Sequence, residues 1–492
     1  DTARIKLTVI PGPDPEDGWW YKFGQHATRI AMSVRNFSFT YKNTYAMTLP
    51  GFRPEVGDMF GQKKHGGFLA PGMDFAFGFT GDGYIDRALQ NDWLICNDSV
   101  VSPASSNALE DLQLRISLEP IRDLKIDLTA NRTRNRSREI QYMFEGMPDT
   151  RSGNFSMSII SIGSAFERPS AGDGYHSGTF ERFRRNLDVI RDRVESQFLG
   201  AQYPQGSTLA GKTFDPANGT ISKHSPDVMI PAFLAAYTGK SARNSALDFF
   251  PSLFSMMPNW RITYTGLTKI AWFKKNFRSV NLNHAYRSTY SVGSYNTFQS
   301  FMSYMGDIGF VEDVQSGNPI PSSRFDISMV SINEQFSPLI GMDATLKNGL
   351  TAKVEYKTSR ILNLSMSACQ LVETASRDFI IGLGYKIVNF NLFSGRNVKD
   401  SKNRVSHDLA LRADISFRNQ SALCRDIQQG FAQATNGNKA LKISCSADYT
   451  LSRLLTLRLY YDRQQNTPLV SSSSYPVVSA DFGFSMKFSL TR

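Results

Sequence analysis

Apolar and polar residues alternate one by one through much of this chain. Leu112, Leu114, Ile116 and Leu118 are set against Gln113, Arg115, Ser117 and Glu119. After Pro120-Ile121-Arg122-Asp123, Leu124, Ile126, Leu128 and Ala130 alternate with Lys125, Asp127, Thr129 and Asn131. Successive side chains on a strand point to opposite faces, so this stretch predicts a hairpin with one apolar and one charged face. The design recurs to the end. Ile340–Leu346 and Leu350–Tyr356 flank Asn348-Gly349, the strongest short hairpin signal. Phe379–Ile387, Leu409–Phe417, Leu441–Leu451, Leu455–Tyr461 and Ala480–Leu490 follow. Ile30–Tyr41 and Met73–Phe79 are further strand candidates, and with weaker stretches elsewhere the chain offers about fourteen.

The middle of the chain breaks the period. Phe180, Phe183, Leu187, Ile190, Val194 and Phe198 recur at helical spacing, with charged residues between them. A second helix is predicted over Asp227–Tyr237. The implied division is strands with long loops over 1–163, a partly helical insertion over 164–258, and further strands over 259–492. The helix over Phe180–Phe198 either docks a partner, lies on a membrane surface, caps a pore, or packs on its own domain. Arg182, Arg184, Arg185, Arg191 and Arg193 give it a basic bias suited to an acidic partner, and the insertion is expected on the periplasmic or lumenal side.

Strands of about ten residues exceed the usual five or six. Short turns (120–123, 348–349, 452–453) alternate with longer loops (419–439, 464–478), as in outer-membrane barrels. The chain also ends on an alternating aromatic segment. The expected fold is therefore all-β, a transmembrane antiparallel β-barrel with a helical insertion, in preference to a soluble sandwich. The charged phase would face a wet lumen: Arg115, Lys125, Asp127, Lys353, Glu355, Arg412, Asp414, Lys442, Arg458 and Lys487. The apolar phase would face lipid: Leu114, Ile126, Val354, Ile415, Leu457 and Phe484. The first strand has no sequence neighbour to pair with, so the chain is not expected to close on itself.

Composition agrees. Of 492 residues, 41% are hydrophobic, and Phe (35) and Tyr (19) are abundant. No run approaches the roughly 18 apolar residues of a membrane helix. The net charge of +11 is dispersed rather than clustered, which disfavours nucleic acid as a partner. Asp1-Thr2-Ala3 is neither an initiator Met nor a signal peptide, so a processed product or part of a longer precursor is expected. Cys96, Cys369, Cys424 and Cys445 form no metal-spaced set; they are read as unpaired, with a Cys424–Cys445 bridge left open. No two of His26, His65, His176, His224, His284 and His407 stand at ligand spacing. No catalytic or nucleotide motif is present, and Gly81-Asp82-Gly83 lacks the acidic ligands of a calcium loop. No enzyme activity, metal or cofactor is expected.

Several strings resemble the outer-membrane translocon of the type 9 secretion system, the SprA or Sov family. They are Asn259-Trp-Arg-Ile-Thr-Tyr-Thr-Gly266, Phe273-Lys-Lys-Asn-Phe277, Val280-Asn-Leu-Asn-His-Ala-Tyr-Arg287, Val330-Ser-Ile-Asn-Glu-Gln-Phe-Ser-Pro-Leu-Ile340, Phe379-Ile-Ile-Gly-Leu-Gly-Tyr385 and Leu69-Ala-Pro-Gly-Met-Asp-Phe-Ala-Phe-Gly78. The resemblance is densest over 259–492 and weakest in the insertion. It implies the C-terminal part of a very large barrel of about 36 strands in the bacterial outer membrane. Such a barrel passes folded cargo with C-terminal secretion domains through its lumen and a lateral opening. The implied partners are the remaining N-terminal part of the same precursor, a PorV-type shuttle barrel, a plug protein, cargo, and outer-membrane lipid and lipopolysaccharide. A self-contained porin or TonB-dependent receptor is the alternative; an outer-membrane enzyme would need a catalytic cluster at one loop end.

Overall fold

The computed structural model describes residues 32–55, 57–81, 83–95, 102–141, 149–388, 390, 408–451, 455–470 and 475–488. Its centre is a fourteen-stranded sheet. In chain order the strands are β1 (Val34–Thr48), β2 (Ala104–Ile121), β3 (Leu124–Ile140), β4 (Thr150–Ser158), β5 (Asn259–Tyr264), β6 (Phe277–Thr297), β7 (Phe325–Ile327), β8 (Met329–Leu346), β9 (Leu350–Ser365), β10 (Gln370–Ile387), β11 (Leu409–Asp426), β12 (Ala432–Thr450), β13 (Leu455–Pro468) and β14 (Val477–Phe488). All neighbours are antiparallel, and the ranks run β1-β2-β3-β4-β6-β8-β9-β10-β11-β12-β13-β14. The Asn348-Gly349 turn forms between β8 and β9, with Gly349 at φ 89°, where a side chain would be strained.

The expected barrel is not formed. Among the described residues the sheet is open: β1 pairs only with β2, β14 only with β13, and the two edges do not meet. This agrees with the expectation that the chain does not close on itself, and it corrects the fold class. Alternation sets which face a side chain occupies, whereas closure depends on strand number, tilt and shear together, none of which a local pattern encodes. Two smaller sheets accompany the main one, over 302–305, 308–312 and 319–323, and over 63–65 and 68–70.

Several boundaries differ from expectation. The supposed loop 419–439 is mostly strand, because β11 runs to Asp426 and β12 starts at Ala432. The supposed loop 464–478 is partly strand, because β13 runs to Pro468 and β14 starts at Val477. Met73–Phe79 contains a helical turn, Met73–Ala76, instead of a strand.

β4 and β5 share one place beside β3. β4 pairs with Arg132–Glu139, and β5 with Leu124–Thr129. Between them the chain leaves the sheet at Ser158 and returns at Asn259. The seam is closed by side chains. Ser158 Oγ accepts the backbone N–H of Asn131 (3.0 Å) and the amide of Asn259 (3.2 Å), and Asn259 Oδ1 accepts the N–H of Ser288 (2.8 Å).

The excursion holds α1 (Gly178–Ser196) and α2 (Pro226–Tyr237). Ser177 caps α1 by accepting the N–H of Phe180 (3.1 Å). Phe180, Phe183, Leu187, Ile190 and Val194 are buried against α2 and the sheet, as their helical spacing predicts.

Candidate functional site

Residues directly opposed in an antiparallel ladder share a face, so the register sorts the sheet into two surfaces. Lys353 lies opposite Asp343 and Gly382, and Gly382 lies opposite Asp414. Lys125 joins the same surface through Thr263, Asn283, Gly341 and Glu355. Followed strand by strand, Arg115, Lys125, Asp127, Lys353, Glu355, Arg412, Asp414, Lys442, Arg458 and Lys487 all fall on this one polar face.

The charges there neutralise one another locally. Glu355 takes Lys353 (3.1 Å) and Lys357 (2.9 Å), Asp127 takes Lys125 (3.1 Å), and Arg458 reaches Asp448 (3.6 Å). Arg418 pairs with Asp378 (2.9 Å) on the same side. Such exposed pairs are worth only about 0–1 kcal/mol each. They make the surface wettable more than they hold it together.

The opposite face is apolar at the end that carries the short turns. Met342, Val354, Ile381, Ile415 and Ile443 form one unbroken row across five strands. Leu114, Ile126, Leu457 and Phe484 lie in the same band. Its members are partly to largely exposed: Ile340 67%, Phe484 61% and Ile415 36%, with Met342, Val354, Ile381 and Ile443 half-buried between their neighbours. On β10 the band runs from Phe379 to Ile387, about 27 Å along the strand at about 3.4 Å per residue. Tyr356, Phe379 and Phe417 mark one rim; Tyr385, Tyr449 and Phe488 mark the other. With ranks about 4.8 Å apart, the band covers on the order of 1,000 Å², against about 300–600 Å² for the largest patch of a typical soluble monomer.

Toward the other end, the same face is covered by the excursion. Val330, Ile332, Leu362, Leu364 and Leu371 pack beneath it. The helical segment therefore sits on the apolar side of the sheet. The arginines of α1 are also partly engaged: Arg184 donates to the carbonyls of Ile427 (3.1 Å) and Gln428 (3.3 Å), and Arg193 to those of Ala242 (2.5 Å) and Ser245 (2.8 Å).

Two buried ion pairs, not anticipated from the sequence, rivet this cover down. Arg360 meets Glu334 (2.7 Å) and donates to Ser164 O (2.7 Å). Glu334 also accepts from Ser161 (2.7 Å) and Tyr286 (2.8 Å). Arg425 meets Glu373 (3.0 Å) and donates to Tyr175 O (2.6 Å). The signal was present: Glu334, Arg360, Glu373 and Arg425 occupy apolar-phase positions of their strands. Near α1, Glu167 accepts from Ser177 (2.5 Å) and from the N–H of Thr179 (2.9 Å). Burial pushes its carboxyl up, but these hydrogen bonds outweigh burial and leave it below the usual carboxylate value. Asp227 goes the other way: burial raises it, against hydrogen bonds from Ser323 and Ser322.

Cys369, Cys424 and Cys445 are free thiols, so the Cys424–Cys445 bridge left open by the sequence is not made. Cys96 lies outside the described residues. Among the described residues no cluster of His, Cys, Asp and Glu is arranged to hold a metal ion.

No family model and no curated protein matches the chain. Solved structures similar to it include the β domain of the Bordetella autotransporter BrkA, at 6% identity over 79% of this chain and 92% of that one, with a TM-score of 0.22. The trimeric form of the Vibrio cholerae outer-membrane protein OmpT is 9% identical over 92% of this chain and 98% of that one, at a TM-score of 0.20. A loop L8 deletion variant of OmpT is 9% identical over 78% and 92%, at 0.19. Likenesses this slight carry no weight for arrangement or function, and the chain stands as a large protein of long antiparallel strands in several sheets.

Proposed function

We propose that this chain is a wall segment of the type 9 secretion translocon in the bacterial outer membrane, a conduit for folded cargo and not an enzyme. The exposed apolar band on one face of a sheet whose other face is charged carries this reading. Lipid accepts the band at no cost, and its height is close to the roughly 25 Å apolar belt of outer-membrane proteins. The polar face then lines the aqueous passage, with Lys353, Glu355, Arg412 and Asp414 along its wall. The strings from Asn259 to Tyr385 that resemble the translocon family favour this conduit over other outer-membrane proteins.

Unpaired edge groups in lipid cost several kcal/mol each. The edges of β1 and β14 are therefore covered by strands from the remaining N-terminal part of the same precursor. A PorV-type shuttle, a plug protein and cargo bearing C-terminal secretion domains are the partners of the assembled conduit. An open sheet does not suit a self-contained porin or TonB-dependent receptor.

The test is site-specific photo-crosslinking in cells that are secreting cargo. A photoreactive residue at Asp414 or Lys442 is expected to capture cargo, and one at Ile415 or Ile443 to capture lipid. Cargo captured from the Ile415 side, or from neither side, refutes the assignment.

A further inference from the structure

On the apolar face β3 changes character directly above Ala130. Arg132, Arg134, Arg136 and Arg138 take successive positions of that face, each about 7 Å from the next. Arg151 lies opposite Arg138 on β4, and Arg324 stands just before β7. Among the described residues three carboxylates answer these guanidiniums. Glu110 serves Arg132 (3.5 Å) and Arg136 (2.6 Å), Asp149 serves Arg138 (2.8 Å) and Arg151 (3.1 Å), and Asp307 serves Arg151 (3.7 Å) and Arg324 (3.1 Å). Arg134 has no carboxylate within salt-bridge distance among those residues; its guanidinium lies 5.0 Å from the Phe250 ring centre.

Tyr45, Arg134, Arg136, Arg138, Arg151 and Asp307 surround a cavity of about 90 Å³, too small for a nucleotide. Tyr45 Oη and the Nε atoms of Arg134 and Arg136 are buried there without hydrogen-bond partners. A buried donor left unpaired costs about 1–3 kcal/mol, and stacked like charges add to that. The excess of positive charge and the spare donors both ask for an anion.

We propose that this pocket binds the phosphate of a membrane-lipid headgroup. Guanidinium forks match phosphate oxygens bidentately, Tyr45 supplies a hydroxyl donor, and Phe325 gives an apolar wall for the group that carries the phosphate. The height is right: the arginines begin where the apolar band ends, at the level where headgroups replace acyl chains. The proposal rests on the lipid-facing assignment above. A lipid and free phosphate present the same oxygens, and the anchoring of the lipid beside the band favours the lipid.

The experiment uses the full-length protein isolated from outer membranes and stripped of lipid by detergent exchange. Phosphorylated lipid A, its enzymatically dephosphorylated form and inorganic phosphate are added separately and followed by native mass spectrometry. Phosphorylated lipid A is expected to bind, and the dephosphorylated form to bind at least about tenfold more weakly. Arg134→Gln/Arg136→Gln is expected to lose a similar factor, whereas Arg115→Gln on the polar face loses nothing. Should the double variant misassemble, Tyr45→Phe, which removes one hydroxyl, is expected to weaken retention by a smaller factor.

Equal binding of both lipid forms overturns the proposal. So does millimolar inorganic phosphate that binds to wild type but not to the variant while lipid binding is unchanged between them. A lipid-soluble photolabel on Ile415 and Phe484 keeps the two readings apart. A labelled band with indifferent lipid binding sinks the pocket alone; an unlabelled band sinks the membrane assignment and the pocket with it.

Discussion

Ile415→Lys tests the orientation of the whole sheet at one position. Ile415 lies mid-band, opposite Ile381 and Ile443. In a bilayer, a lysine at that depth on the lipid face costs about 2–4 kcal/mol. The adjacent Asp414 points to the other face, opposite Gly382 and Ser444. Asp414→Lys there meets water and is expected to cost under about 1 kcal/mol, mostly from crowding with Lys353. The two lysines, one residue apart, should therefore differ by about 1–4 kcal/mol, or roughly 5- to 700-fold in the folding equilibrium. Urea titration of the full-length protein in phospholipid vesicles, followed by tryptophan fluorescence, measures both midpoints. If this face were solvated, Ile415→Lys would be neutral and would raise solubility. A shift below about 0.5 kcal/mol for Ile415→Lys, or a larger shift for Asp414→Lys, refutes the orientation.

Other outcomes follow from the same contacts. Glu334→Ala leaves Arg360 buried and unpaired and is expected to cost about 3–5 kcal/mol, whereas Glu334→Met with Arg360→Met stays near neutral; protease resistance of the excursion separates the two. Phe183→Ala opens the centre of the α1 core and is expected to cost about 3–5 kcal/mol by the same readout. Glu167 sits below its ordinary value of 4.5, so the stability it supplies is present above that pH and is lost as pH falls through its depressed folded value. Asp227, raised above 3.8, acts in the opposite sense: its contribution is present below that pH and is lost as pH rises through its elevated value. Glu167→Gln should therefore flatten the acid limb of proteolytic sensitivity while leaving the Asp227 limb. Cys445 lies in the band and is expected to react with a lipid-soluble maleimide, while Lys353→Cys reacts with a charged one; the reverse pattern contradicts the register.

Much of the two-faced character was legible because period-two alternation is a local property. Leu350–Tyr356 against Thr351, Lys353 and Glu355 needs no knowledge of what lies elsewhere. The α1 stripe from Phe180 to Val194 was legible for the same reason. Closure was not, because it is a property of the whole ladder. Strand ends above the band were missed where the apolar phase turns polar: Arg377, Asn419 and Lys439 look like loop residues, yet they continue β10, β11 and β12. Their ladder is held by backbone pairing, not by side-chain alternation; only Arg377 also reaches the excursion, at Glu167 O (3.4 Å). The buried pairs are not legible locally, because a charge such as Glu334 or Arg360 at an apolar-phase position looks the same whether or not another segment covers it. The arginine pocket is not legible either, because Arg132 to Arg138 gain their meaning only from Glu110 and Asp149, which reach them from other segments.

The seam at Ser158 and Asn259 makes the excursion a cassette. The chain leaves and rejoins the sheet at two adjoining points, and there Ser158 and Asn259 stand in for the peptide link that an uninterrupted strand would have. The ranks of the sheet are indifferent to how long the detour is, because loop-closure entropy rises only with the logarithm of length. Folded modules of different size can be spliced at this junction over evolutionary time, or by design, without breaking the strand-to-strand pairing of β3 and β6, provided the new module meets the side chains of Tyr286 and Tyr290 that now bond Ser161 and Phe249. What such an exchange alters is the height at which the outer face turns from bare to covered. The wall and its awning are separately adjustable parts.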